Sequence, residues 1–190
     1  MKPALAIFCL ILASAGALSV DGQVMSKVVV GGRKAAAAGT WYYPSISTFP
    51  TSSGAQPANY LWATPVTVTG GSHITQIGLE IFTDNGGAVK LSLGTYSGST
   101  WTPIASSGCT IATPTGTGWV VCSGLSISIS PPVTYWVGFD FASANNVFYY
   151  STATATGNVC NNPETYSTFP AASGCSLSNN FTVAVRIWAQ

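Results

Sequence analysis

The chain has 190 residues, of which only 6% are charged, against roughly a quarter in an average soluble protein. Six basic and five acidic residues leave a net charge of +1. Arg33-Lys34 is the only adjacent basic pair, so no basic patch is available to displace counterions from a nucleic acid, and that partner class is set aside. Mean hydropathy is +0.36. Much of it comes from the first twenty residues, and no later run approaches the roughly 20 apolar residues that span a bilayer.

In chain order, Lys2, the apolar run of residues 4–12 and the small residues Ala13-Ser14-Ala15-Gly16-Ala17 have the layout of a secretory signal peptide, cut after Ala17 or Ser19. The expected organisation is a signal peptide over residues 1–19, an N-terminal strand and Pro/Ser/Thr-rich lead-in over 20–57, and a regular β domain over 58–190. The apolar run is short for a retained anchor, so no stable membrane insertion is expected. Within the lead-in, residues 20–30 read as a strand and residues 33–39 as a small-residue linker.

Cys9 belongs to the leader, which leaves Cys109, Cys122, Cys160 and Cys175. An even count in an exported chain points to two disulfides, and four cysteines allow three connectivities. Closeness in sequence favours Cys109 with Cys122 and Cys160 with Cys175. Zinc has little to bind here: there is no C-x-x-C pair, and His73 is the sole histidine.

No stretch beyond the leader keeps a helical period, whereas alternation of period two recurs between Gly, Pro, Asn and Ser. Ile77, Leu79 and Ile81 fall on one face, and Val89, Leu91 and Leu93 must share it. Joined as a hairpin through Asp84-Asn85-Gly86, they set Ile81 opposite Val89 and Leu79 opposite Leu91. Glu80 then faces Lys90 in an outward ion pair worth roughly 0.2–1 kcal/mol. A second hairpin pairs Cys109 with Cys122 and Ile111 with Val120 around Pro114-Thr115-Gly116-Thr117. Further strands cover residues 125–129, 133–141, 146–150 and 181–189. In the second of these Tyr135, Val137, Phe139 and Phe141 point one way, and Trp136, Gly138 and Asp140 the other. Val183, Val185 and Ile187 likewise oppose Arg186 and Trp188. The expected fold is all-β: a single antiparallel β-sandwich, jelly-roll-like, of about eight strands.

Four segments in this order carry a family likeness. They are Asn59-Tyr60-Leu61-Trp62-Ala63-Thr64-Pro65-Val66-Thr67-Val68, Ile74-Thr75-Gln76-Ile77-Gly78-Leu79, Val89-Lys90-Leu91-Ser92-Leu93-Gly94-Thr95-Tyr96 and Pro131-Pro132-Val133-Thr134-Tyr135-Trp136-Val137-Gly138. Over residues 58–141 the chain resembles a family of small β-sandwich modules of bacteriophage tail proteins and secreted bacterial surface proteins. The resemblance implies a carbohydrate-binding or receptor-adhesion module, and the family has no fixed catalytic set to carry over.

Catalytic chemistry finds few parts. Gly94-Thr95-Tyr96-Ser97-Gly98 has its serine one place late for G-x-S-x-G. Glycoside hydrolysis needs two facing carboxyl groups. Of Glu80, Asp84, Asp140 and Glu164, only Asp140 lacks an ordinary structural assignment, so no catalytic residue is expected. No cofactor is called for either. Asp84-Asn85-Gly86 offers oxygens to Ca²⁺, but no acidic cluster converges, which leaves room only for a structural ion held partly by backbone carbonyls. Aromatic residues, 12% of the chain, are more suggestive, because Trp and Tyr faces stack on sugars. The candidate ligand-binding residues are Trp136 with Asp140, Trp188 with Arg186, and Trp101 and Tyr96 in loops. Their alternative is core beneath another layer. The expected function is a secreted, non-enzymatic module that binds glycans or a cell-surface receptor. An extracellular subunit polymerising by donor-strand exchange through residues 24–30 is the alternative, and a hydrolase the third. Asn180-Phe181-Thr182 is a glycosylation sequon.

Overall fold

Strands dominate wherever the alternation was clear and also where it was not. The computed structural model describes residues 38–44, 52–83, 86–112, 114, 117–144, 146–151, 159–178 and 182–190. The expected leader, the strand over residues 20–30, the turn residues Asp84-Asn85 and residues Asn180 and Phe181 of the sequon lie outside them. The described residues form β1 (Thr40–Tyr42), β2 (Ser52–Gln56), β3 (Tyr60–Val68), β4 (His73–Thr83), β5 (Val89–Ser97), β6 (Thr100–Pro103), β7 (Cys109–Ile111), β8 (Gly118–Ser128), β9 (Val133–Phe141), β10 (Asn146–Ser151), β11 (Val159–Pro163), β12 (Ser173–Gly174), β13 (Ser176–Ser178), β14 (Thr182–Val183) and β15 (Val185–Ala189). There is no helix among them. The expected count of about eight strands is too low, because segments as short as β7 and β12 are too brief to show a period.

All pairings are antiparallel, in two sheets. The first runs β1-β15-β4-β10-β14, with β2 on β10 and β8 on β4. The second runs β12-β6-β5-β9-β3-β11-β13, with β7 on β5. Ile77, Leu79, Ile81, Val185 and Ile187 of the first sheet and Val89, Leu91, Leu93, Val137, Phe139 and Phe141 of the second are buried in one shared cluster. Each such side chain contributes roughly 1.5–3 kcal/mol by leaving water.

The two expected hairpins are both corrected. β4 pairs with β8, β15 and β10, whereas β5 pairs with β9, β6 and β7. Their apolar faces do meet, but through the core rather than edge to edge. Alternation tells which face is buried; it does not tell whether the matching face lies beside it or across from it. Glu80 therefore stands opposite Trp119, and Lys90 opposite Asp140, so the Glu80–Lys90 pair is not formed. The expected disulfides are present. Cys109–Cys122, with Cα atoms 5.9 Å apart, joins β7 on one sheet to β8 on the other, so it is a staple between sheets and not a hairpin bridge. Ile111 accordingly pairs with Val89, and Val120 with Leu79. Cys160–Cys175, with Cα atoms 5.4 Å apart, closes the segment between β11 and β13.

The outer face of the second sheet is covered too. Leu61, Ala63, Trp101, Cys160, Phe169 and Cys175 form a second buried cluster, with Tyr96 and Trp136 packed against it. A side chain at Gly94 or Gly138 would run into the Trp101 indole, so these two glycines leave the space that the ring fills.

Candidate binding surfaces

Trp136 and Asp140 lie on the outward face of β9, as their spacing requires, but they do not make one site. Gly138 stands between them, and the Trp101 indole packs over it. Trp101, expected in a loop, belongs to β6, is 0% exposed and stacks on Phe169 at 5.7 Å with 8° between planes. Its ring is therefore core. Tyr96, also expected in a loop, lies on β5 and rests against half-buried Trp136 with ring centroids 4.8 Å apart.

Asp140 is likewise 0% exposed. Its Oδ1 accepts a hydrogen bond from the Tyr60 N–H at 2.9 Å, while Oδ2 is buried with no hydrogen-bond partner. Burial pushes its pKa up to about 6, against the opposing pull of the backbone N–H groups of Tyr60 and Phe141; Glu164 adds to the rise and Lys90 counters it. Lys90, the neighbouring cation, is committed elsewhere. Its Nζ donates to the carbonyls of Tyr166 (2.8 Å) and Phe169 (3.0 Å) and lies 4.6 Å from the Tyr166 ring centroid. Lys90 thus pins the 164–170 segment as a roof over Asp140 and Trp101. Beside that roof is a cleft of about 420 Å³ walled by Pro103, Ile104, Phe169 and Pro170, within the size range of small-molecule sites.

The outward face of the first sheet is different in kind. Arg186 on β15 is opposite Gly78 on β4. Its guanidinium lies 3.9 Å from the Trp41 ring centroid and 4.0 Å from that of Trp119. Two cation–π contacts at a half-exposed position are worth roughly 0.5–2 kcal/mol each. Gly78 makes the arrangement possible, since a Cβ there would sit 3.3 Å from both Arg186 and Trp119 atoms. Trp188 meets Trp41 at 5.2 Å, and exposed Tyr43 meets Trp119 edge-on at 6.0 Å. Trp41, Trp119, Arg186 and Trp188 are all half-buried, as Trp136 is. Glu80 lies on the same face opposite Trp119; burial raises its carboxyl pKa, and Arg186 pulls it back down. Gln76, opposite Trp188, completes the face.

Of this cluster, sequence reasoning found Arg186 and Trp188, whose alternation with Val185 and Ile187 turned them outward. It missed Trp41 and Trp119. The first sits in a Pro/Ser/Thr-rich stretch without a period, and the second was placed in a hairpin that does not form. Only β-sheet register brings them to Arg186.

His73 is half of a small polar contact, with Ser72 Oγ 3.0 Å from Nδ1 and Ser128 Oγ 3.3 Å from Nε2. Among the described residues no three His, Cys, Asp or Glu side chains converge as a metal site, and no helix is long and apolar enough to cross a membrane. Two disulfides mark a chain suited to an oxidising, extracellular-type compartment. No protein-family model, curated protein or solved structure matches the chain. The likeness over residues 58–141 thus rests on the all-β architecture alone.

Proposed function

We propose that this protein is a secreted, non-enzymatic binding module, a jelly-roll-like sandwich that recognises glycans of a cell surface through the outward face of its first sheet. The observation that carries this reading is the set of three half-buried indoles, Trp41, Trp119 and Trp188, gathered around the Arg186 guanidinium. Indole faces pack on the C–H faces of sugar rings, and the adjacent Arg186, Glu80 and Gln76 offer hydrogen bonds to hydroxyl groups. The leader-like start of the chain and the two disulfides support export. Asp140 supports a binding role over hydrolysis, because it is fully buried, with one carboxylate oxygen taken by the Tyr60 N–H.

Screening the exported, disulfide-intact protein on a glycan array tests the proposal: specific retention is expected, and a blank array rejects it. N-terminal sequencing of that material is expected to return a start near Leu18 or Val20; recovery of Met1 would count against export by cleavage.

One observation favours a second reading. Among the described residues β8 pairs only with β4, and its sequence Gly118–Ser128 carries no charge and no proline. Such an edge accepts an added strand, as a polymerising subunit requires. Filaments in electron micrographs of the secreted protein would move the conclusion to that reading.

A further inference from the structure

We infer that the Arg186 face selects neutral sugars with adjacent hydroxyl groups over sugars that carry carboxylate or sulfate, an inference that rests on the glycan reading above. An arginine on a sheet face is ordinarily an anion hook, because its planar fork matches carboxylate and sulfate oxygens. Three features of this arginine work against that use. Its guanidinium is crowded by two indoles, with the central carbon 3.9 Å from the Trp41 ring centroid and 4.0 Å from that of Trp119, which narrows a ligand's approach. Part of its edge is also closed, since Nε is buried and has no hydrogen-bond partner. The terminal N–H groups are what remains for a ligand.

Glu80 supplies the third feature. It stands two residues from Gly78, the cross-strand partner of Arg186, and therefore on the same face of β4. Arg186 is close enough to act on its carboxyl. The other outward residues of the cluster, Trp41, Trp119, Trp188 and Gln76, carry no charge. One cation and one anion on an otherwise neutral aromatic surface sum to zero, in a chain with only 6% charged residues. An anionic sugar drawn to Arg186 would be repelled by Glu80 and would have to strip water from both groups. A neutral sugar meets the opposite situation. Each hydroxyl donates and accepts, so adjacent hydroxyls can take hydrogen bonds from Arg186 and give them to Glu80. Gln76 is able to do either. The indole surface not turned to the guanidinium is left for the apolar face of the ring.

The test compares binding of the full, disulfide-intact chain to neutral polymers (β-glucan, xylan, mannan) and to anionic ones (polygalacturonate, heparin) across a salt series. Neutral polymers are expected to bind at least about ten-fold more tightly, with an affinity that barely changes with salt, because no net charge is being matched. Glu80→Gln, nearly the same shape, is expected to raise anionic binding about five-fold or more and to narrow the preference. A wild-type preference for anionic polymers, with affinity falling steeply as salt rises, overturns the inference and leaves the glycan reading standing. So does a Glu80→Gln protein with an unchanged preference. Binding to neither class overturns the glycan reading itself. The salt series uses only the wild type, so the inference stays open to refutation even if Glu80→Gln does not fold.

Discussion

Asp140 shows how a residue can hold its expected face and still lose its expected role. It points away from the main core, yet a second layer covers it, and one carboxylate oxygen is left without a partner. Its pKa in the fold, about 6, lies above the ordinary 3.8. The folded state therefore holds the proton more tightly than the unfolded chain does. The stability this group contributes is present in acid and is lost as pH rises from about 4 through about 6. Thermal unfolding is accordingly expected to show a higher midpoint at pH 4.5 than at pH 7.5 in the part of the profile that Asp140 controls. Asp140→Asn should flatten that slope, and an identical profile in the variant would show that Asp140 is not its source. Trp101 makes the complementary case for an apolar side chain. It fills the space left by Gly94 and Gly138 and stacks on Phe169, so Trp101→Ala is expected to cost about 3–5 kcal/mol in denaturant unfolding. A variant of wild-type stability that had lost only ligand binding would return Trp101 to the surface role first expected of it.

The elements divide by what a one-dimensional pattern can carry. β9 runs over Val133–Phe141, as its alternation requires, and the buried faces of β4 and β5 are the ones their alternation marks. Their pairing was not legible, because a strand's periodicity names its buried face without naming its neighbour, and β5, next in chain order after β4, belongs to the other sheet. Both disulfide pairs are the expected ones, the first in spite of losing its hairpin, because nearness in sequence bounds the distance whatever the strands do. Their structural meaning changed, however. Cys109–Cys122 now staples two sheets, and Cys160–Cys175, separated by 15 residues, anchors the segment that roofs Trp101 and Asp140. Replacing Cys160 and Cys175 together by serine should cost about 3 kcal/mol in the chain-entropy account. Hydrogen exchange should rise first over residues 159–178. Uniform acceleration across both sheets instead would mean that this segment does not open separately from the main core.

Across the whole molecule, the two sheets differ in how many of their faces are covered, and that difference decides where a ligand can sit. The second sheet has the main core on one face and the Trp101–Phe169 cluster on the other. Among the described residues, the first sheet turns one face to the main core and carries Trp41, Trp119, Arg186 and Trp188, all half-buried, on the other. The sequence pattern could not separate these cases, since Trp136 on β9 and Trp188 on β15 alternate with core residues in the same way. Substitution can separate them. Trp41→Ala or Trp119→Ala is expected to weaken glycan binding by about 1–3 kcal/mol, the usual cost of truncating an interface anchor, while the fold persists because neither ring belongs to the main core. Trp136→Ala is expected to do the reverse: it removes a ring packed on Tyr96 and on the second cluster, lowering stability by about 1–3 kcal/mol and leaving binding nearly unchanged. Measuring affinity and unfolding free energy on the same three variants checks the assignment. If Trp136→Ala abolished binding while Trp41→Ala and Trp119→Ala kept it, the binding face would belong to the second sheet, beside Tyr96, and the Arg186 cluster would be a structural clamp that ties β1 and β15 across β4 to β8.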